Sequence, residues 1–248
     1  MKEKELKTYD KLAEGTEIVC MIFDFDGTLA DTEEVHREAF NSAFSKKKLK
    51  WHWNKYVYKK LLQVAGGKER IKVFNEGLSS KSNQISSEDI EEVYFQKTKL
   101  FLQSVSQGCL RLRPGIREIL EKAKNNKKKL AIATSTNMDN VTALIRSCLG
   151  DRPENIFSFI STGDMVENKK PSPDLYNLVL AELALMPNEC LAFEDSRLGL
   201  ISAKRANLGT IVSPSYYNIG DTFEEADFLL KSFFPKEFPN NLRRRLFF

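Results

Sequence analysis

The chain predicts a doubly wound α/β fold, a parallel sheet covered by helices and interrupted after its first strand by an all-helical insert. Three observations carry this. Strand-like and helix-like stretches alternate from residue 116 to residue 212, the signature of βαβ units and a parallel sheet. One apolar run, Ile18 to Phe23, stands near the N-terminus as an isolated buried strand. The region between, ending at Gly108, carries helical spacing and no convincing strand. The core is therefore expected over residues 1–31 and 109–248, and the helical insert over 32–108.

Residues 1 to about 17 are polar and read as frayed or weakly helical. After the first strand, a Gly-Thr turn leads to Asp31-Thr32-Glu33-Glu34, a helix start with acids in its first turn. Ala39, Phe40, Ala43 and Phe44 form an apolar stripe on that helix. Leu61 with Leu62, Ile71 to Phe74 and Ile90 to Val105 continue the helical region. Beyond Arg113-Pro114-Gly115 the alternation begins. Helix-like stretches are Ile116 to Lys124, Asn140 to Leu149, Pro173 to Leu185 and Leu198 to Ala206. Strands are expected at Leu130 to Thr134, Ile156 to Ile160, Cys190 to Phe193 and Leu208 to Val212. Right-handed crossovers then bury the sheet between helices.

With 248 residues, 42% of them hydrophobic, the chain can bury a sizeable core. A net charge of +4 is small for that length. The runs Lys46-Lys47-Lys48, Lys127-Lys128-Lys129 and Arg243-Arg244-Arg245 are dispersed, and read as solvated faces and a loose C-terminal tail; no nucleic-acid partner is expected. No stretch reaches the roughly 18 apolar residues of a spanning helix, so no membrane partner is expected either. Cys20, Cys109, Cys148 and Cys190 lack C-x-x-C spacing, and Cys20 and Cys190 fall in apolar runs as small core residues. The N-terminus has no apolar signal core and is too acidic for a transit peptide. The sequence as given reads as cytoplasmic, with the plastid stroma as the alternative for a processed or plastid-encoded form.

In an open parallel sheet, ligands lie at the carboxyl ends of the strands. There the first strand offers Asp24 and Asp26, and the second offers Thr134, Ser135, Thr136 and Asn137. Lys169-Lys170 lies in the loop after the third, and the fourth ends in Glu194-Asp195-Ser196. Asp24, Asp26, Glu194 and Asp195 brought together would repel unless they share a hard divalent cation, and an oxygen-only donor set suits magnesium. The plainer alternative is that Glu194-Asp195 caps the next helix.

An aspartate close to such a cation can attack phosphorus and form an aspartyl-phosphate. Asp24 is the expected nucleophile, and Asp26 the acid/base that protonates the leaving alkoxide and then activates water. Gly27 permits the chain to leave the strand sharply, and Thr28 helps to cradle the phosphate. Thr134 and the Ser135 amide can add donors, although a threonine after a strand is often a helix cap. Pro171 forces extended geometry on Lys170, so this lysine is presented from a stiff loop to offset negative charge; an ordinary surface lysine is the alternative.

These residues resemble the four motifs of the haloacid dehalogenase superfamily of phosphotransferases. Asp24-Phe25-Asp26-Gly27-Thr28 is similar to its first motif, Thr134 to the second, Lys170-Pro171 to the third and Glu194-Asp195-Ser196 to the fourth. The insert position resembles the helical cap of the β-phosphoglucomutase-like branch. Asp31 to Arg37, Gly66-Gly67-Lys68-Glu69-Arg70, Ala133 to Asn137 and Glu194 to Leu200 resemble the CbbY group, phosphatases of xylulose-1,5-bisphosphate. The resemblance implies a Rossmann-like core, a magnesium cofactor and a small sugar phosphate as substrate. It adds Glu33, Thr136 and Asn137 to the substrate-binding set.

His36 is four residues after Thr32, on the same helix face above the acids. It could steer Asp26, touch substrate or be a satisfied structural histidine. Lys68 and Arg70 after two glycines could clamp a second anionic group, or be ordinary charges at an exposed helix start. Arg113 and Arg197 are further candidates. The sequence therefore predicts a monomeric, magnesium-dependent sugar-phosphate phosphatase, with a β-phosphoglucomutase-type mutase as the alternative. A dehalogenase fits poorly, because halide leaves without a proton and has little use for Asp26 or a cation. A non-enzymatic role fits poorly because every chemical position is filled.

Overall fold

Strand β1 (Cys20–Phe23) lies inside a six-stranded sheet, with β2 (Lys129–Ala133) and β3 (Phe159–Ser161) on one side. On the other side follow β4 (Cys190–Glu194), β5 (Gly209–Val212) and β6 (Phe228–Leu229). Every neighbouring pair is parallel. The computed structural model describes residues 17–247; the polar N-terminal segment expected over residues 1 to about 17 lies, but for Glu17, outside them.

Strand order runs β3-β2-β1-β4-β5-β6, so the chain winds one way from β1 and then the other way from β4. The reversal opens a crevice between the carboxyl ends of β1 and β4, the place where such sheets bind ligands. Register sets the depth: Phe23 pairs with Phe193, and their rings stack with centroids 4.5 Å apart. Asp24 and Glu194, one residue further along each strand, therefore emerge side by side.

Four helices fill the chain between β1 and residue 108: α1 (Glu33–Lys46), α2 (Lys55–Leu61), α3 (Gly67–Glu76) and α4 (Ser87–Ser106). The apolar stripe of α1 drives their packing, Phe40 and Phe44 meeting Trp51, Trp53, Tyr58, Ile71, Ile90 and Val93 in a cluster of their own. Asn54 Oδ1 accepts from the Val57 amide at 2.9 Å and Ser86 Oγ from the Asp89 amide at 3.1 Å, which starts α2 and α4.

The rest of the chain supplies α5 (Ile116–Asn125), α6 (Met138–Leu149), the short α7 (Pro153–Ile156), α8 (Asp174–Leu183), α9 (Arg197–Arg205) and α10 (Asn240–Phe247). Alternation along the strands divides them between two layers. Met21, Phe23, Ile132, Leu191 and Phe193 face α5, α6 and α10, while Cys20, Ile22, Ala131, Cys190 and Ala192 face α8 and α9. Among the described residues no helix is long and apolar enough to cross a membrane.

Three local expectations change. The strand expected over Ile156 to Ile160 begins only at Phe159, because Ile156 closes α7, where Pro153 suits a helix start. β6 was not expected, because two residues carry no period. The Arg243-Arg244-Arg245 run is no loose tail: it belongs to α10, whose Leu242, Leu246 and Phe247 are buried in the sheet's apolar layer.

Candidate active site

Asp24 leaves β1 with its amide bonded to the Phe193 carbonyl at 2.9 Å. Its Oδ1 accepts from Lys170 Nζ at 2.6 Å, and the same ammonium donates to Glu194 Oε1 at 2.6 Å. Tyr176 OH also donates to Glu194 Oε1, at 2.5 Å. All four groups are buried. Burial alone would lower the Lys170 pKa, but the two carboxylates override it and hold it above the ordinary lysine value. Burial pushes Asp24 well above the usual carboxylate range despite Lys170, with Glu194 and Asp195 adding to the rise.

Asp195 is the third acid. Thr28 Oγ1 donates to its Oδ1 at 3.4 Å and Asn218 Nδ2 to its Oδ2 at 2.8 Å. Burial, and then the Glu194 charge, push its pKa up to about 7. Asp24, Glu194 and Asp195 each place a carboxylate oxygen within 4.8 Å of the others. Glu194 Oε2 is buried without a hydrogen-bond partner. Three dry carboxylates with one lysine and an orphaned oxygen make a site short of positive charge. Its oxygen-only donors fit a hard divalent cation. Two glycines make room: a Cβ at Gly27, whose φ is +85°, would lie 2.2 Å from Asp195 Oδ2, and one at Gly199 would lie 1.8 Å from Glu194 Oε2.

Asp26, expected among the metal ligands, contributes no carboxylate to this group. Thr32 Oγ1 donates to its Oδ1 at 2.6 Å, and His36 Nε2 lies 3.1 Å from the same oxygen. On the far side of the imidazole, Lys97 Nζ sits 2.8 Å from Nδ1. An ammonium can only donate, so Nδ1 must accept and Nε2 must carry the proton toward Asp26. The ring stacks on Phe101, centroids 3.9 Å apart. Burial and then the Lys97 charge hold the His36 pKa below the ordinary histidine value. Lys97 itself, also buried, is pushed down to about 8 by desolvation. For Asp26, burial would raise the pKa, but the His36, Thr32 and Lys97 interactions keep it low. His36 thus orients the acid from α1, and Lys97 on α4 is a site residue that the sequence did not single out.

Opposite the acids, Thr134, Ser135 and Thr136 form the loop after β2. Thr134 Oγ1 accepts from the Thr136 amide at 3.2 Å, and Ser135 Oγ is buried without a partner. Asn137 does not line the cleft; its Oδ1 accepts from the Asn140 amide at 3.0 Å and caps α6. Asn140 lines the cleft instead and donates to Thr136 Oγ1 at 2.7 Å. Thr28, expected at the phosphate, is fully buried and holds Asp195.

The helical region covers this edge and leaves a cleft, partly open to solvent, lined by Asp24, Asp26, Thr134, Ser135, Lys170 and Asp195 below. Above lie Glu33, His36, Gly66, Gly67, Arg70, Tyr94 and Lys97. Arg70 is anchored by its Nε on the Val64 carbonyl at 2.9 Å and by Glu33 Oε2 at 3.8 Å, and Glu33 also accepts from Tyr58 OH at 2.6 Å. Lys68 turns the other way and pairs with Glu91 at 3.0 Å, so the expected clamp keeps only one of its two cations. Residues two apart on a helix face nearly opposite sides.

The other two arginines lie off the cleft. Arg197 pairs with Glu225 on an outer face. Arg113 is buried: Nη1 donates to the Gly27 and Ser213 carbonyls, both at 2.7 Å, and Nη2 donates to Ser213 Oγ and the Pro214 carbonyl, both at 3.1 Å. It holds the turn after β1 to the loop after β5. That loop also carries Asn218, a further residue, with Tyr94, Asn140 and Tyr176, that the sequence did not reveal.

Comparison with known proteins agrees with this arrangement. Residues 21–213 match the haloacid dehalogenase-like hydrolase family. Protein CbbY of Rhodobacter capsulatus is 44% identical over 85% of this chain and 92% of its own length. The structure of a Rhodobacter sphaeroides CbbY variant in complex with xylulose-1,5-bisphosphate superposes with a TM-score of 0.84 at 43% identity, covering 88% of this chain and 95% of that one. A Clostridium difficile β-phosphoglucomutase shares the fold, with a TM-score of 0.72 at 20% identity over 92% of this chain and 97% of that one.

Proposed function

The chain belongs to the haloacid dehalogenase-like hydrolase family, and on that premise we propose that it is a magnesium-dependent phosphatase of a small sugar phosphate, most specifically xylulose-1,5-bisphosphate. The observation that carries the reaction type is the division of labour between two neighbouring aspartates. Asp24 is tied to Lys170 within the acidic triad, while Asp26 is held apart by Thr32 and His36. One is placed to meet phosphorus and the other to handle protons. The CbbY complex with a sugar bisphosphate, at 43% identity, supports the substrate.

In this reading Lys170 holds Oδ1 of Asp24 and leaves Oδ2 to attack, forming an aspartyl-phosphate as the sugar oxygen departs. Thr134 and Ser135 donate to the phosphoryl oxygens from the facing loop. Asp24, Glu194 and Asp195 would hold magnesium, whose charge would favour the ionised form of Asp24 and offset the negative charge of the phosphoryl group. Held by Thr32 and His36, Asp26 stays ionised, the form that takes a proton from the attacking water in the second step. To protonate the leaving oxygen in the first step, Asp26 must first take a proton from solvent water, and turning away from His36 and Thr32 removes the contacts that hold its pKa low. Arg70 and the Gly66–Gly67 backbone receive the distal phosphate, residues 32–108 serve as a cap over the core of residues 1–31 and 109–248, and the enzyme works as a monomer.

A panel of sugar phosphates assayed for phosphate release with and without magnesium tests the proposal. Release from xylulose-1,5-bisphosphate is the expected result. Conversion of β-glucose-1-phosphate to glucose-6-phosphate without phosphate release would make the chain a mutase instead. Asp24→Asn should abolish turnover, and Asp26→Asn should lower it by about 10²–10⁴-fold.

A further inference from the structure

The two lysines that follow β3 part company. Lys170 turns into the core to Asp24 and Glu194. Lys169 turns outward, and its Nζ donates to Glu69 Oε1 on α3 at 2.7 Å. Its stem passes Gly163, which is itself packed on the loop after β2: a Cβ at Gly163 would lie 3.2 Å from Lys169 Cε and 2.3 Å from the Ser135 carbonyl. Its head reaches the turn into α3, where a Cβ at Gly66 would lie 3.0 Å from Lys169 Nζ and 2.0 Å from Glu69 Oε2. Gly66 has a φ of +95°, so both conformation and space keep that position bare. Glu69 Oε2 is buried with no side-chain partner, and Lys169 is the ion-pair partner of this carboxylate.

We propose that the Lys169–Glu69 ion pair is the closing contact of the substrate cleft, with Lys169 a positioning residue that holds the Gly66–Arg70 segment in its anion-binding position. One side chain adjoins Lys170 in the chain, passes Gly163, whose amide bonds the Thr136 carbonyl at 2.8 Å, and grips the segment carrying Gly66, Gly67 and Arg70, all of which line the cleft. The pair also masks charge. Without Lys169, the Glu69 carboxylate loses its ion-pair partner at the rim of a cleft that receives an anion. This inference rests on the phosphatase reading only for its choice of substrate.

Lys169→Met should raise KM for a sugar bisphosphate about 10-fold, combining the loss of a partly exposed pair with repulsion from bared Glu69, while kcat changes little. Magnesium-dependent binding of inorganic phosphate, measured by titration calorimetry, should weaken in the same sense. Glu69→Gln should relieve the repulsion in the Lys169→Met background. The exchange Lys169→Glu with Glu69→Lys should bring KM back to within about 3-fold of the parent, where Lys169→Glu alone does not. A merely structural role would lower the melting temperature of Lys169→Met and leave KM unmoved. Unchanged KM and phosphate affinity in Lys169→Met, or an exchange no better than Lys169→Glu alone, would overturn the proposal. A parent protein that hydrolyses no sugar phosphate would defeat the phosphatase reading instead, and the phosphate titration would still decide the role of Lys169.

Discussion

Replacing Lys97 by methionine should make the protein more stable at pH 7 and a poorer catalyst. Lys97 is buried on α4, its ammonium between the His36 ring and the faces of Phe40 and Phe101, 4.8 and 5.3 Å from their centroids. Desolvation lowers its pKa from 10.5 to about 8. At about 1.4 kcal/mol per unit, keeping the proton at pH 7 costs the folded state about 3 kcal/mol relative to an unfolded chain in which the amine is solvated. Methionine fills similar space without that cost. It forfeits the hydrogen bond to His36 and the two ring contacts, about 1–2 kcal/mol together. A net gain of about 1–2 kcal/mol remains, a rise of about 2–8 °C in melting temperature for a chain of this size.

The pH dependence separates this cause from others. Between pH 8 and 10.5 the unfolded amine keeps its proton while the folded one has lost it, so the unfolded state binds more protons and the parent protein gains stability as pH rises. The advantage of Lys97→Met should therefore shrink from pH 7 to pH 9.5. Activity should move oppositely. Without a donor at Nδ1, the His36 proton is free to shift there, turning a lone pair toward Asp26, and turnover should fall about 10-fold or more. Denaturant unfolding at pH 7 and pH 9.5, with kcat measured at pH 7, provides the test. A variant less stable than the parent by the same margin at both pH values would refute the reasoning.

Gly199→Ala should weaken magnesium activation at least 10-fold, read from the cation concentration for half-maximal rate, because its Cβ would meet Glu194 Oε2 at 1.8 Å and displace that acid. Arg70→Ala should raise KM for a sugar bisphosphate about 10–100-fold and affect a simple monophosphate ester much less. Lys68→Ala, whose ammonium faces Glu91, should leave both substrates within about 2-fold of the parent.

Much of the sheet was legible because its strands are short, mostly apolar and separated by helical periods. β1 and β4 end in acids that have no reason to follow such runs unless they work there. Asp24, Lys170, Glu194 and Asp195 meet as their order at the sheet edge implied. The remainder depends on direction and on long-range packing. Lys68 and Arg70 share a motif, yet helical geometry separates them, which their spacing could have revealed. Lys97 sits in the middle of an amphipathic helix, and only the fold puts His36 beneath it. Asn218 lies in a polar loop after β5 with no motif around it, and it reaches Asp195 because the strand order places β5 beside β4. Asp26 was legible as chemistry but not as geometry: leaving the strand after Asp24 carries its carboxylate to the α1 side, away from the cation group.

The Arg113 junction has a consequence for how the chain could be assembled. The segment from residue 32 to residue 108 departs and returns at nearly one point. Ala30 bridges Leu112, the Arg113 amide bonds the Leu29 carbonyl at 2.8 Å, and the guanidinium lies 3.6 Å from Asp31 Oδ1. The exit and entry points are thus joined whatever lies between them. Such an insert imposes little closure entropy on its host, since the cost of a longer loop grows only with the logarithm of its length. Its outer helices α2 and α3 can be lengthened or shortened while the sheet keeps its register, whereas α1 and α4 bring His36 and Lys97 to Asp26 and Ala39, Phe101 and Val105 to the sheet's apolar layer. The catalytic edge and the outer helices above it are free to diversify on separate terms.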